Sequence, residues 1–212
     1  MATIKSTSLG KISGRVGNAV FYVRGEQNCI RSSPLAYHDA NTPEQQLQRM
    51  RLRGVTTFYG VLMSTLVPLI WRRFALGTSL SGYNLFVREN IRAFDGRGGV
   101  IFENLCFSKG RLPAAENMVW VRSSDSIVRL TWENLSACSW RRMNDRLIVV
   151  VVGADASFYL LMPPAFRVTR RRKSTEIRLE KQEQPVHLYC FFGTEKMDGF
   201  SDDVHFEIGA ES

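Results

Sequence analysis

The 212-residue chain is 44% apolar and holds thirteen phenylalanines, which excludes a disordered polypeptide and suffices for one sizeable core or two small ones. Its net charge of +8 is unevenly placed: residues 1–112 carry 15 Lys and Arg against 6 Asp and Glu, residues 113–212 carry 13 against 14. The N-terminus has no apolar signal region and Leu62–Ile70 falls far short of the roughly 20 residues of a membrane span, so a cytoplasmic protein without signal peptide or transmembrane segment is expected.

The first third is dense in punctuation. Gly10, Gly14 and Gly17 fall within eight residues, a spacing that implies tight bends or close backbone contacts. Val20–Val23, containing Phe21 and Tyr22, is followed by Arg24-Gly25-Glu26-Gln27-Asn28 and then Cys29-Ile30-Arg31. This predicts a β-hairpin with a Gly-containing turn, read as an arm that docks onto a partner.

A helix is predicted next. Thr42 is a good N-cap, Pro43 suits the first helical position and Gln45 completes a capping box. Leu47, Met50, Val55, Phe58, Tyr59, Leu62 and Leu66 form one apolar stripe, with Arg49 and Arg53 a turn apart on another face. Pro68 is expected to end or kink it. Trp71-Arg72-Arg73-Phe74 reads as a short second helical piece, stopped by Gly77. A further helix over Ser81–Phe94 places Tyr83, Phe86, Val87, Ile91 and Phe94 on its stripe and leaves through Asp95-Gly96. These aromatic stripes read as core, with base-stacking platforms as the alternative.

Beyond Gly98-Gly99 the pattern turns to alternation. Val119–Arg122, Ile127–Trp132, Leu147–Val152, Phe158–Met162, Glu176–Leu179, Val186–Phe192 and Val204–Ile208 are seven strand-like runs separated by turn-rich segments. Trp132 in the second and Tyr189 in the sixth resemble a fibronectin type III or immunoglobulin pattern, without the cysteine pair of antibody domains. The Leu147–Val152 run is expected to be buried on both faces or covered by the helical layer. The fold class is therefore α+β: a hairpin arm with a helical region over 1–98, then a seven-stranded immunoglobulin/fibronectin III-like β-sandwich over 99–212. The seven strands are expected to form a closed apolar set.

The inventory argues against an enzyme. Of His38, His187 and His205, the last two fall on strands, where packed or edge positions are the ordinary outcome. Asp145, Asp202 and Asp203 lie at strand or loop ends, where solvated acids are usual. Gly10–Gly17 lacks the order of a phosphate loop. Cys29, Cys106, Cys138 and Cys190 lie 32 to 77 residues apart with no CxxC pair, so reduced thiols are expected, zinc or disulfides being the lesser alternative. No cofactor and no metal are expected. Arg167 and Arg170-Arg171-Arg172-Lys173 form the one dense charge run, read as an exposed loop able to contact phosphate or an acidic partner.

Several motifs carry a resemblance. Gly10-Lys11-Ile12-Ser13-Gly14-Arg15-Val16-Gly17, the aromatic pair, the arginine at the hairpin's end and Asn41-Thr42-Pro43-Glu44-Gln45-Gln46 are joined by Ser81-Gly82-Tyr83-Asn84-Leu85-Phe86, by Leu105-Cys106-Phe107-Ser108-Lys109-Gly110-Arg111-Leu112-Pro113 and by Asp198-Gly199-Phe200-Ser201-Asp202. Together they resemble an uncharacterised domain family of gut bacteria of about this length. The N-terminal module is similar to modules of bacteriophage structural proteins. The chain departs from the family's lysine- and alanine-rich helices at Leu66-Val67-Pro68-Leu69-Ile70-Trp71. The resemblance implies architecture and supplies no catalytic residues.

The expected function is a non-enzymatic structural or assembly protein, a virion or phage-derived particle component that binds other subunits as a homo- or hetero-oligomer. Gly10, Gly14, Gly17, Phe21, Tyr22, Arg24, Arg31, Arg49 and Arg53 are the expected contacts. A nucleic-acid-binding accessory using the same basic half is the alternative. It is less favoured because the aromatics fall on apolar stripes rather than among the basic residues. No membrane contact is expected.

Overall fold

Two tight turns organise the first part of the chain. Gly17-Asn18 joins β2 (Gly14–Val16) to β3 (Ala19–Arg24), and Gly25-Glu26 joins β3 to β4 (Gln27–Ser32). Gly17 and Gly25 have φ of 56° and 62°. A positive φ at the first central residue is the type II′ geometry, whose twist matches that of the flanking strands. The computed structural model describes residues 2–4, 10–34, 36, 39–124, 126–134, 139–153, 158–159, 168–179 and 185–209. In it the expected hairpin, β3–β4, is the middle of a four-stranded antiparallel sheet of order β1-β4-β3-β2, with β1 at Ala2–Ile4. The Asn28 side chain fastens the preceding segment to β4, accepting from the Ile12 N–H at 3.1 Å and donating to the Gly10 carbonyl at 2.7 Å.

The chain divides into Met1–Gln45 and Gln46–Ser212, not at residue 98. The physical reason is that the helices share one core with the sandwich. Helix α1 (Pro43–Leu62) opens on a reciprocal capping box, the Gln45 N–H donating to Thr42 Oγ1 and the Thr42 N–H to Gln45 Oε1, both at 3.3 Å. It ends at Leu62, before the proline, and α2 (Val67–Phe74) leaves at 111° to it. Pro68 thus sits in the first turn of α2, where its missing N–H costs nothing. Thr65 Oγ1 bridges the corner, donating to the Leu62 carbonyl and accepting from the Val67 N–H. Helix α3 (Gly82–Asn90), capped by Ser81, continues as a 3₁₀ turn over Ile91–Ala93. Gly82 is required there, since a Cβ would lie 2.7 Å from the Arg72 nitrogen of α2. On α3 Leu85 and Phe86 take the buried positions, and Tyr83, expected on the stripe, is exposed with its ring 5.2 Å from that of Tyr59. No single helix among the described residues is long and apolar enough to cross a membrane.

The second half contains β5 (Glu116–Ser124), β6 (Ile127–Glu133), β7 (Arg146–Gly153), β8 (Phe158–Tyr159), β9 (Ser174–Arg178), β10 (Val186–Gly193) and β11 (Val204–Ile208). They pair antiparallel as β5-β6-β9 and β11-β10-β7-β8, so the chain is α+β with two sheets packed face to face. Residues 160–162 of the expected fourth run lie outside the described residues. Met118, Val128, Leu130, Trp132 and Ile177 of one sheet meet Leu147, Val149, Val151, Leu188, Cys190 and Phe192 of the other.

The expected closed apolar set is not what forms. The alternate side chains of the same strands, Ile148, Val150, Val152, Tyr189 and Phe191, face a second core built from Val55, Phe58, Leu62, Ile70, Trp71, Phe86, Phe94 and Phe107. Both expectations for the Leu147–Val152 run therefore hold together. A clasp fixes this layer. Asp203 Oδ2 accepts from the Phe107 and Ser108 N–H groups at 2.6 and 3.2 Å, Ser108 Oγ donates to the Ser201 carbonyl at 2.7 Å, and Asn90 bonds both ways with the Cys106 backbone. Gly110 is indispensable to it, because a Cβ there would stand 1.8 Å from the Phe200 carbonyl oxygen.

Arg170, expected in an exposed charge run, is instead fully buried. Its guanidinium lies 3.9 Å from the Phe192 ring centroid and donates to the carbonyls of Pro113 at 2.6 Å and Ala114 at 3.3 Å. Asp145, also buried rather than solvated, stands 3.9 Å from Arg170 Nε. Burial pushes the Asp145 carboxyl up, and Arg142 and Arg170 oppose that.

Two outcomes are expected. A fragment of residues 99–212 bares five large apolar side chains at about 1.5–3 kcal/mol each, on the order of a whole domain's stability. It should show no cooperative thermal unfolding, whereas residues 46–212 should unfold cooperatively. Arg170→Met should cost roughly 3–5 kcal/mol in urea unfolding by stripping the Pro113 and Ala114 carbonyls of their donor and buried Asp145 of one of its two cations. Arg171→Ala and Arg172→Ala, at exposed positions, should stay within about 0.5 kcal/mol.

Candidate functional site

In the first unit the expected contact residues lie largely in the open. Gly10, Gly14, Gly17, Arg24 and Arg31 are exposed, and Phe21 and Tyr22 are half-buried. β2 is an edge strand with all three residues exposed, Val16 at 71%. Gly10, Gly14 and Gly17 have φ of 59°, 139° and 56°, and a Cβ built on any of them meets nothing within 4 Å among the described residues. Their positive φ is a conformation that glycine adopts without strain. Among the described residues of the unit only Asn28 and Cys29 are buried. Among the described residues the sheet thus buries little apolar surface.

In the second unit, Arg49 and Arg53 are exposed on α1, with the apolar Met50 and Leu52 exposed between them in sequence. Arg171, Arg172 and Lys173 are exposed in a turn closed by Lys173 at φ 57°. Arg170 is removed from the surface set for the reason given above. Arg167, His38 and Cys138 lie outside the described residues.

The titratable groups are arranged for packing. His187 Nδ1 and His205 Nε2 are 3.1 Å apart, the His187 ring stacks on Phe102 at 4.0 Å, and the Tyr189 hydroxyl donates to the Phe102 carbonyl at 2.7 Å. Burial first, and for His205 also the neighbouring imidazole, holds both histidines below their ordinary value, so they are neutral at pH 7. Burial pushes the Asp203 carboxyl up to about 6, against the pull of the Phe107 and Ser108 N–H groups. The Cys106 thiol donates to Asp203 Oδ1 at 3.4 Å, and burial followed by that carboxylate pushes its pKa far up, away from a nucleophilic thiolate. Cys29, Cys106 and Cys190 are free thiols.

The clasp residues Ser108, Ser201 and Asp203 and the buried role of Arg170 have no local signal. Only the paired Gly- and Asp-bearing motifs at Leu105–Pro113 and Asp198–Asp202 hint that two distant segments meet. Beside the clasp, a cavity of about 260 Å³ is lined by Arg73, Lys109 and Arg111 with Asp198, adding to the cationic surface.

No protein-family model and no curated protein matches the chain. Among solved structures it is similar, over about half its length, to fibronectin type III domains. The FN3 domain of human collagen XX aligns at 16% identity over 48% of this chain and 94% of that one, with a TM-score of 0.36. The domain of human fibronectin type III domain containing protein 3 aligns at 13% over 50% and 91%, with a TM-score of 0.32. Chicken CNTN1 FN1–FN3 aligns at 11% over 50% of this chain but only 34% of that one, with a TM-score of 0.37. The sandwich itself is established by its own strand order and inter-sheet core.

Proposed function

We propose that this chain is a non-enzymatic assembly protein that binds neighbouring protein subunits through its first unit and through the arginine-bearing face of α1. The observation that carries the reading is how little of the four-stranded sheet is buried among its described residues. A unit of about 40 residues with little buried apolar surface ordinarily needs association to complete it, and here Val20, Phe21, Tyr22, Val23 and Ile30 are only half-buried. The edge strand β2 offers unpaired backbone groups to a partner strand. Lys11, Arg15, Arg24 and Arg31, all exposed, favour an acidic partner surface. The resemblance of the N-terminal module to bacteriophage structural proteins suggests a virion or phage-derived particle as the assembly.

Sedimentation of the full chain, alone and with its particle or subunit fraction, tests this. Val16→Lys places a charge on the exposed edge, and Arg49→Glu with Arg53→Glu reverses the face of α1. Each should weaken association by at least about tenfold while leaving the melting temperature unchanged. Duplex DNA should bind only with the Kd of about 10⁻⁴–10⁻⁶ M typical of non-specific contact. Undiminished association in both variants would overturn the proposal. Tight, sequence-dependent nucleic-acid binding at physiological salt, lost in the double variant, would replace it with the nucleic-acid reading.

A further inference from the structure

The strand register sorts the arginines of the first unit onto one side. Arg15 of β2 stands opposite Val20 of β3, and Val20 opposite Arg31 of β4, so these three form a row across the sheet. Alternate residues of a strand share a face, which adds Tyr22 and Arg24. Val16, Phe21, Val23 and Ile30 fall on the other face, where β2, β3 and β4 place no charge. Residues 1–34 hold a single acidic side chain, Glu26, and it is ion-paired with Lys11 at 3.3 Å. Tyr22 is half-buried and Cys29 opposite it is buried, so the open part of the basic face is the Arg15–Val20–Arg31 row with Arg24 beyond it. At a strand spacing of about 4.8 Å the two arginines of the row stand roughly 10 Å apart.

The second unit carries the opposite sign at one corner. Glu89, Glu176 and Glu195 are committed to Lys109, Arg129 and Arg146, Glu133 to Asn117, and Asp95 and Asp202 to backbone N–H groups. Glu103 and Glu207 are exposed, and their side chains have no hydrogen bond or ion pair among the described residues. Both flank the same imidazole. Glu207 stands opposite His187 in the ladder, and Glu103 follows Phe102, whose ring centroid lies 4.0 Å from that of His187. Ile101, two residues before Glu103, is 41% exposed. His187 and His205 are neutral at pH 7 and leave the two carboxylates uncompensated.

We infer that the chain self-associates head to tail, the Arg15–Val20–Arg31 row of one copy seating on the Glu103–Glu207 corner of the next. This rests on the assembly reading and names its partner as a second copy. Guanidinium forks bind carboxylates through paired hydrogen bonds, and Val20 meets Ile101 between them. Exposed pairs are weak singly and screened by salt, so the contact forms at micromolar rather than nanomolar concentration and loosens as salt rises. A contact between two different patches of one chain is heterologous, and it closes into a ring or continues as a filament. Neither the β2 edge nor the arginine face of α1 takes part, so separate variants probe them.

Sedimentation equilibrium of the full chain alone, at low and at physiological salt, tests this. The protein should associate as its concentration rises, more weakly at physiological salt. Arg15→Glu with Arg31→Glu, and separately Glu103→Lys with Glu207→Lys, set like charges opposite one another. Each pair should weaken association by at least about tenfold with the melting temperature unchanged. An equimolar mixture of the two variants should associate again, since the reversed patches match. A chain that stays monomeric at millimolar concentration and low salt, or a mixture that stays monomeric, would overturn the inference. So would self-association lost only in Val16→Lys or in Arg49→Glu with Arg53→Glu, an outcome that leaves the assembly reading standing. If those variants bind the particle or subunit fraction undiminished while the mixture is rescued, the earlier surfaces fall and this one stands. Single-stranded oligo(dT) bound tightly at physiological salt through Arg15 and Arg31, with no self-association, would give the face to nucleic acid.

Discussion

Strands β7 and β10 are buried on both faces, and the arrangement of the second unit follows from that. Along β7, Leu147, Val149 and Val151 point into the space between the sheets while Ile148, Val150 and Val152 point at the helices. β10 divides in the same way, and all eight of its residues are buried. Antiparallel sheets ordinarily keep one face wet and show it as polar alternation. Here neither strand does, so a second layer has to cover the outer face. Helices α1 to α3 supply that layer, and tilted and edge-on ring contacts carry it, among them Phe107 with Tyr189 at 4.7 Å and Trp71 with Phe86 at 5.4 Å.

Polar groups inside this unit act as fasteners. Asp203 holds two backbone N–H groups of the segment that crosses under the helices, and the Trp71 indole donates to the Phe107 carbonyl at 3.1 Å. Arg170 performs the corresponding task in the sandwich, where its guanidinium ties the chain before β5 to Phe192. Each of these groups loses hydration on burial and recovers it only through several simultaneous partners. That is why they cement tertiary contacts between segments far apart in sequence, and why a thiolate is disfavoured at Cys106.

The first unit obeys different physics. Its strands are short, its turns are set by glycines at positive φ, and its apolar side chains stay half in water. A sheet of this size buries too little to offset the entropy of ordering it alone. What its described residues present is an open strand edge and a basic, partly exposed surface. The second unit supplies two apolar cores on either side of one sheet, with Arg49 and Arg53 exposed on α1.

Local chemistry alone determined the hairpin, the capping box at Thr42 and Gln45, the amphipathic α1 and the seven strands, because turn residues, caps and period-2 or period-3.6 patterns act over a few residues. It also placed the two-faced run at Leu147–Val152, since an unbroken aliphatic run has no wet side to offer. Only the tertiary structure decided that Pro68 begins a helix rather than ending one, that Arg170 belongs to the core while Arg171 stays outside, and that the chain divides near residue 45 rather than 98. Each of these depends on what a segment packs against, and a charge in a polar run reads the same whether water or an aromatic ring lies above it. The division of the chain follows the burial of shared apolar surface, and which surfaces are shared is fixed by contacts between residues far apart along the chain.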